Sequence, residues 1–216
     1  RQMCIRDRCS RCEIEARDMD LNFDGVIYGN GCYVEYNNEV IFHQPLTLEQ
    51  CTHFVNWCNE RDLAFRLECN DGMFLSEGYE EKSRLTRYKY TYGLEANYSD
   101  KPLPPLSRHM ISGKNLFRDD VNKTAFVLKS YQDFLDAKEE FSDMAVDTWG
   151  GKGELALYGA TRAKGFDKEN SIHLLLKYLN VDPKDAIAFG DGVVDIPMFK
   201  ACGFSVAMGN GNDEVK

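Results

Sequence analysis

The stretch Ala186-Ile187-Ala188-Phe189-Gly190-Asp191-Gly192-Val193-Val194-Asp195-Ile196-Pro197-Met198, followed beyond Gly203 by Phe204-Ser205-Val206-Ala207-Met208, decides how this chain folds. Two short, wholly apolar runs bounded by glycine read as buried strands, and the segment between them reads as a helix to about Cys202 that stops at Gly203. Upstream, Ile172, Leu175, Leu176 and Leu179 recur at i, i+3, i+4 and i+7, the apolar face of a helix over Asp167 to Leu179. Helix, strand, helix, strand with buried strands predicts an α/β fold with a parallel sheet covered on both faces. In such sheets ligands bind just beyond the carboxyl ends of strands, where Asp191 stands. Asp195 follows one helical turn later, so two carboxylates approach one point and suit Mg²⁺, which takes carboxylate, water and substrate phosphate as ligands. Spacing alone leaves a second reading open, with Asp-Gly as a turn and Asp195 as an acid at a helix N-terminus.

Toward the N-terminus the grammar differs. Phe23 to Ile27, Tyr33 to Tyr36 and Val40 to Gln44 read as short strands punctuated by Gly25, Gly29, Asn30, Gly31 and Asn37-Asn38. Thr47 with Gln50 has capping-box spacing and opens a helix to about Arg61 along Leu48, Cys51, Val55 and Cys58. Leu63 to Cys69 and Met73 to Leu75 form a hairpin over Asp71-Gly72. The aromatic text from Tyr79 to Tyr98 is ambiguous, and the alternation of Tyr88, Tyr90 and Tyr92 reads best as one face of a strand. Lys101-Pro102-Leu103-Pro104-Pro105 is an extended connection. A strand over Ala125 to Lys129, a helix from Ser130 to Phe141, and strands over Met144 to Trp149 and Glu154 to Tyr158 follow. Residues 46–160 are thus expected to be an α+β domain inserted between residues 21–45 and 161–216.

With 216 residues, 43% hydrophobic, the chain has enough apolar material to bury a core. There are 26 Lys+Arg against 35 Asp+Glu, a net charge of −9, which disfavours nucleic acid and anionic membrane as partners. No run approaches the roughly 18 to 20 apolar residues of a membrane helix, and the expected location is cytoplasmic. Five of the eight cysteines, Cys32, Cys51, Cys58, Cys69 and Cys202, sit in apolar patterns and read as free buried thiols. The other three, Cys4, Cys9 and Cys12, crowd an arginine-rich leader without apolar period. Cys9 and Cys12 have C-x-x-C spacing, but zinc needs four ligands and no second pair stands at finger spacing. Residues 1–20 are expected to be a non-native or disordered leader. The chain also stops inside a nascent helix, so it reads as a piece of a longer protein.

Gly190-Asp191-Gly192-Val193-Val194-Asp195-Ile196-Pro197-Met198, with Ala201-Cys202-Gly203 and Val206-Ala207-Met208-Gly209-Asn210, resembles the fourth motif of the haloacid dehalogenase superfamily, and within it the Cof-type phosphatases of subclass IIB. Ala163-Lys164-Gly165-Phe166 before a helix is similar to the third motif, and Phe23-Asp24-Gly25-Val26-Ile27 with Asn30-Gly31 resembles the segment ahead of the cap. The resemblance implies a Rossmann-like core interrupted by an α+β cap and Mg²⁺-dependent hydrolysis of small phosphorylated metabolites, such as sugar phosphates, through an aspartyl-phosphate. It implies that Asp191 holds the metal, that Asp195 assists or orders its shell, that Lys164 neutralises phosphate and nucleophile, and that Asn210 lines the substrate pocket. Two departures matter. Val194 replaces the family's usual asparagine, and the first motif, which supplies the nucleophile and the acid/base, is missing. Asp18-Met19-Asp20 has the spacing but neither the preceding apolar strand nor the following Gly-Thr. The chain by itself is therefore expected to be inactive. Two alternatives stay open, a catalytically dead ligand-binding relative and a phosphosugar mutase of the same superfamily.

Overall fold

The computed structural model describes residues 3–5, 23–106, 110–211 and 213–216. They fold as two units, the first from residues 23–43 and 165–216 together with Met3–Ile5, the second from residues 44–164 between them. The division falls at 43/44 and 164/165, so Lys164 belongs to the second unit.

In the first unit, β1 (Met3–Ile5), β2 (Gly25–Tyr28), β3 (Tyr33–Tyr36) and β4 (Glu39–His43) form one sheet in that order, parallel between β1 and β2 and antiparallel thereafter. Strand β1 departs from the expected structureless leader. Three residues are too few to show a period in the sequence, and what defines them as a strand is their ladder to Gly25, Val26 and Ile27. The remaining leader residues, with Cys9 and Cys12, lie outside the described residues.

Further along, after Lys129, come α5 (Lys168–Tyr178), β11 (Ile187–Gly190), α6 (Ile196–Lys200) and β12 (Phe204–Ala207). The predicted parallel pairing is present, Ile187 to Gly190 beside Phe204 to Ala207. The core joins Ile27 and Val34 of the meander to Ile172, Leu175 and Leu176 of α5 and to Ala188, Met198 and Ala201. Each of the larger aliphatic side chains contributes about 1.5–3 kcal/mol on burial. The opposite side of the parallel pair is less covered, with Ile187 60%, Phe189 63% and Phe204 62% exposed. Cys202 is half-buried, not buried as expected, whereas the other four cysteines are buried.

The second unit is a six-stranded sheet, ordered β7-β6-β5-β8-β10-β9, of β5 (Phe65–Cys69), β6 (Gly72–Leu75), β7 (Met110–Ser112), β8 (Val121–Val127), β9 (Met144–Trp149) and β10 (Tyr158–Ala163). All its pairs are antiparallel except β6 with β7. Helices α1 (Leu48–Glu60) and α4 (Tyr131–Glu140) join one core with Phe54, Trp57, Phe65, Leu67, Phe126 and Phe141. Thr47 caps α1 in the predicted box, its hydroxyl accepting from Gln50 N while Gln50 Oε1 accepts from Thr47 N.

Two predicted strands are corrected here. Tyr88, Tyr90 and Tyr92 lie on a helix, α3 (Arg84–Tyr92), which follows the short α2 (Tyr79–Lys82). In helical register the Tyr88 and Tyr92 rings meet at 6.2 Å, and Tyr90 points instead to Trp149. Glu154 to Tyr158 is not a strand either: Gly153–Leu155 is a short 3₁₀ turn and β10 begins only at Tyr158. Gly153 at φ +54° and Gly150 at φ +85° keep this turn from extending.

Candidate active site

The site in the first unit is built from two helix starts and one strand end. Strand β11 ends at Gly190, and the chain turns through Asp191 and Gly192 into a 3₁₀ turn over Val193–Asp195 ahead of α6. A Cβ on Gly190 would stand 2.7 Å from Asp195 Cβ and 2.8 Å from its Oδ2, so only glycine lets the carboxylate close on the turn. Asp195 Oδ2 accepts from Asp191 N and Gly192 N, both at 3.1 Å. Its other oxygen, Oδ1, accepts from Lys168 Nζ at 2.7 Å.

Lys168 is the first residue of α5 and is placed there by the turn before it. Asp167 caps the helix, its side chain accepting from Asn170 N at 2.9 Å. Ser171 Oγ bonds the carbonyls of both Asp167 and Gly31, each at 2.7 Å, which locks the Asn30-Gly31 turn against the helix start. The Lys168 side chain is 2% exposed and that of Asp195 15%. An ammonium at a helix N-terminus meets the positive end of the dipole, so its burial there requires the Asp195 carboxylate. Burial by itself raises the Asp195 pKa, but the Lys168 hydrogen bond and charge, helped by the Gly192 and Asp191 amides, outweigh it and hold the group below its usual value.

Asp191 is exposed, and its Oδ2 accepts from Asn210 Nδ2 at 3.0 Å. Asp191, Asp195 and Asn210 are thus brought together at one strand end. Lys164 is in the other unit, where its ammonium donates to the Ser142 carbonyl and its own carbonyl accepts from Gln44 Nε2 at 3.2 Å. Lys168, which the sequence pattern does not mark as a site residue, is the lysine that meets the Asp195 carboxylate. A signal for it was available, because position 168 continues the buried stripe of 172, 175, 176 and 179, and a lysine on such a stripe needs a partner. Val194 is 52% exposed. Asp18 and Asp20 lie outside the described residues.

The donor set fits a metal held at one carboxylate. Asp191 Oδ1 makes no hydrogen bond among the described residues, whereas both Asp195 oxygens are already occupied. Among the described residues no three His, Cys, Asp or Glu side chains gather into a closed cage. An ion that keeps most of its water, as magnesium does, suits such a site better than zinc. No helix of the described residues is long and apolar enough to cross a membrane.

The family model of the haloacid dehalogenase-like hydrolases matches residues 11–216, and the chain belongs to that family. A phosphoglycolate phosphatase of Nitrosopumilus maritimus is 31% identical over 93 residues, 43% of this chain and 39% of that protein's own length. A hypothetical protein of Geobacillus kaustophilus superposes with a TM-score of 0.74 at 20% identity, over 99% of this chain and 75% of the other. A subclass IIB sugar phosphatase superposes at 0.64 with 18% identity, over 94% of this chain and 70% of its own. The match thus spans well under half of the curated relative's length.

Proposed function

We propose that the protein to which this chain belongs is a Mg²⁺-dependent phosphomonoester hydrolase acting on small phosphorylated metabolites, with sugar phosphates and phosphoglycolate as the first substrates to test. The observation that carries this reading is the braced turn at the end of β11: the Lys168–Asp195 pair, its lysine buried, fixes the backbone of Asp191 and Gly192 and leaves one Asp191 oxygen without a hydrogen bond among the described residues. Family membership and the phosphatase names of its relatives support the same class.

In this reading Asp191 is the metal ligand, Asp195 orders the turn that presents it, and Asn210 fixes the Asp191 rotamer. Bound magnesium would supply a positive charge that screens the repulsion between an anionic phosphate and an attacking carboxylate. Lys168, paired with Asp195 at 2.7 Å, places a cation at the same strand end. Lys164, assigned that neutralising role by the family resemblance, is compared directly with Lys168 in the test. Preorganisation accounts for why the turn is braced: dipoles and charges already in place need no rearrangement when negative charge develops.

The test is phosphate release from a generic phosphomonoester by the protein extended to its full length, with and without Mg²⁺. Asp191→Asn is expected to lower kcat by roughly a thousandfold and Lys168→Met by roughly a hundredfold, the scale of lost electrostatic stabilisation in other enzymes. Lys164→Met is expected to change kcat less than Lys168→Met. Activity that survives Asp191→Asn removes the metal assignment. Mg²⁺ binding without hydrolysis points to the ligand-binding alternative, which the exposed Val194 at the family's asparagine position favours.

A further inference from the structure

One amide at the candidate site sits where its own backbone can attack it. An asparagine followed by glycine is especially open to loss of its side-chain amide, because glycine has no Cβ to crowd the attacking nitrogen. Of the asparagines in this chain, Asn30 and Asn210 precede glycine, and both lie in the first unit. The reaction needs the following nitrogen to swing onto the side-chain carbon, so how firmly each glycine is held separates the two positions. Gly31 is clamped. A Cβ there would stand 2.4 Å from the Asp167 carbonyl oxygen and 2.5 Å from Ser171 Oγ, and that hydroxyl lies 2.7 Å from the Gly31 carbonyl oxygen. Asn30 itself is half-buried in the turn that this contact locks to α5.

Asn210 is held more lightly. It is exposed, and a Cβ on Gly209 before it would meet nothing within 4 Å beyond its chain neighbours. Gly211 N donates to the Met208 carbonyl at 2.8 Å. Among the described residues the Asn210 side chain makes one hydrogen bond, from Nδ2 to Asp191 Oδ2 at 3.0 Å. That bond restrains the nitrogen that has to leave. In the reaction the Gly211 nitrogen bonds to Asn210 Cγ, the Cγ–Nδ2 bond breaks, and Nδ2 departs as ammonia with the proton from Gly211 N. The cyclic imide then takes up one water. Opening at Cγ gives aspartate, and opening at the main-chain carbonyl gives isoaspartate, so either product carries a new carboxylate.

We propose that Asn210 is a site of spontaneous deamidation, restrained by Asp191, and that its product sets a second carboxylate beside Asp191. The new group cannot donate to Asp191 Oδ2, and two carboxylates side by side favour a shared cation, so Mg²⁺ binding tightens. That consequence rests on Asp191 as the metal ligand, whereas the modification does not. For the test the 216-residue chain is aged in warm, mildly alkaline buffer and digested, and each amide-to-acid mass change is located by fragmentation. Asn210 is expected to convert at least about ten times faster than Asn30, because conversion at Asn30 first needs its clamp to open. Asp191→Ala is expected to speed conversion at Asn210 about fivefold, the scale of one hydrogen bond, and to leave Asn30 unchanged. The Asn30 peptide thus reports folding in every sample, and the first comparison needs no variant. Calorimetric titration with Mg²⁺ is expected to show several-fold tighter binding by Asn210→Asp than by the unaltered chain. If neither binds Mg²⁺, the metal reading of Asp191 falls and the mass comparison still decides the modification. The proposal is overturned if Asn210 stays unconverted, converts no faster than Asn30, or converts no faster in a folded Asp191→Ala chain. It is also overturned if the unaltered chain binds Mg²⁺ and Asn210→Asp binds it no more tightly.

Discussion

In the second unit Phe54, Phe65, Phe126 and Phe141 are fully buried, and two helices seal one face of an antiparallel sheet from a single continuous stretch of chain. In the first, the parallel pair β11–β12 buries Ala188 but leaves Ile187, Phe189 and Phe204 about 60% exposed. The difference follows from sheet type. An antiparallel sheet tolerates one uncovered face, whereas parallel strands are apolar on both sides and need a layer on each. Of the two layers that β11 and β12 call for, the described residues supply one. Chemistry follows a different distribution from closure: the less closed unit holds the braced carboxylates.

The contrast can be broken at its strongest point first. Phe54→Ala removes a ring that meets Phe65, Phe126 and Phe141, and is expected to cost about 3–5 kcal/mol. Both tryptophans lie in the second unit, so urea unfolding followed by fluorescence measures this loss there, and peptide-level hydrogen exchange reads the first unit separately. Lys168→Met strips the half-buried Asp195 of its cation and is expected to cost about 2 kcal/mol in the first unit, seen as faster exchange across residues 187–196. A smaller effect comes with pH. Because the Asp195 pKa is held below 3.8 in the folded state, the stability it contributes is fully present above that value and disappears as pH falls through the lower, folded pKa. Exchange protection of the Asp191 and Gly192 amides is therefore expected to drop below about pH 4, and Asp195→Asn to flatten that dependence. The smallest change is expected for Phe189→Ser. An exposed ring removed from β11 should alter stability by less than about 0.5 kcal/mol while reducing self-association in light scattering. A large loss there would mean that the face is covered after all.

Much of this architecture was legible in the residues. Period-3.6 stripes located α1, α4 and α5, the Thr47 box fixed the start of α1, and glycine-bounded apolar runs located β11 and β12, because each of these signals is local. Residues whose setting is tertiary were harder to read. The Tyr88 to Tyr92 stretch alternates like a strand, but Tyr90 takes its partner from Trp149, nearly sixty positions away, and the segment is helical. Strand β1 exists only through its pairing with β2. At the site, strand-end spacing pointed to Asp191 and Asp195, and the family resemblance to Asn210. Lys168 carries no apolar signal of its own, although its place on the α5 stripe puts it inside.

Gly190 has a genetic consequence. Any single-nucleotide missense change in a glycine codon introduces a side chain, and every such side chain begins with the Cβ that would collide with Asp195. The codon therefore has no silent amino-acid neighbour, and drift at this position is blocked unless position 195 changes as well. A saturation library of the gene should contain, among functional members, almost no single replacements at 190, and those at 195 should decide which double replacements survive.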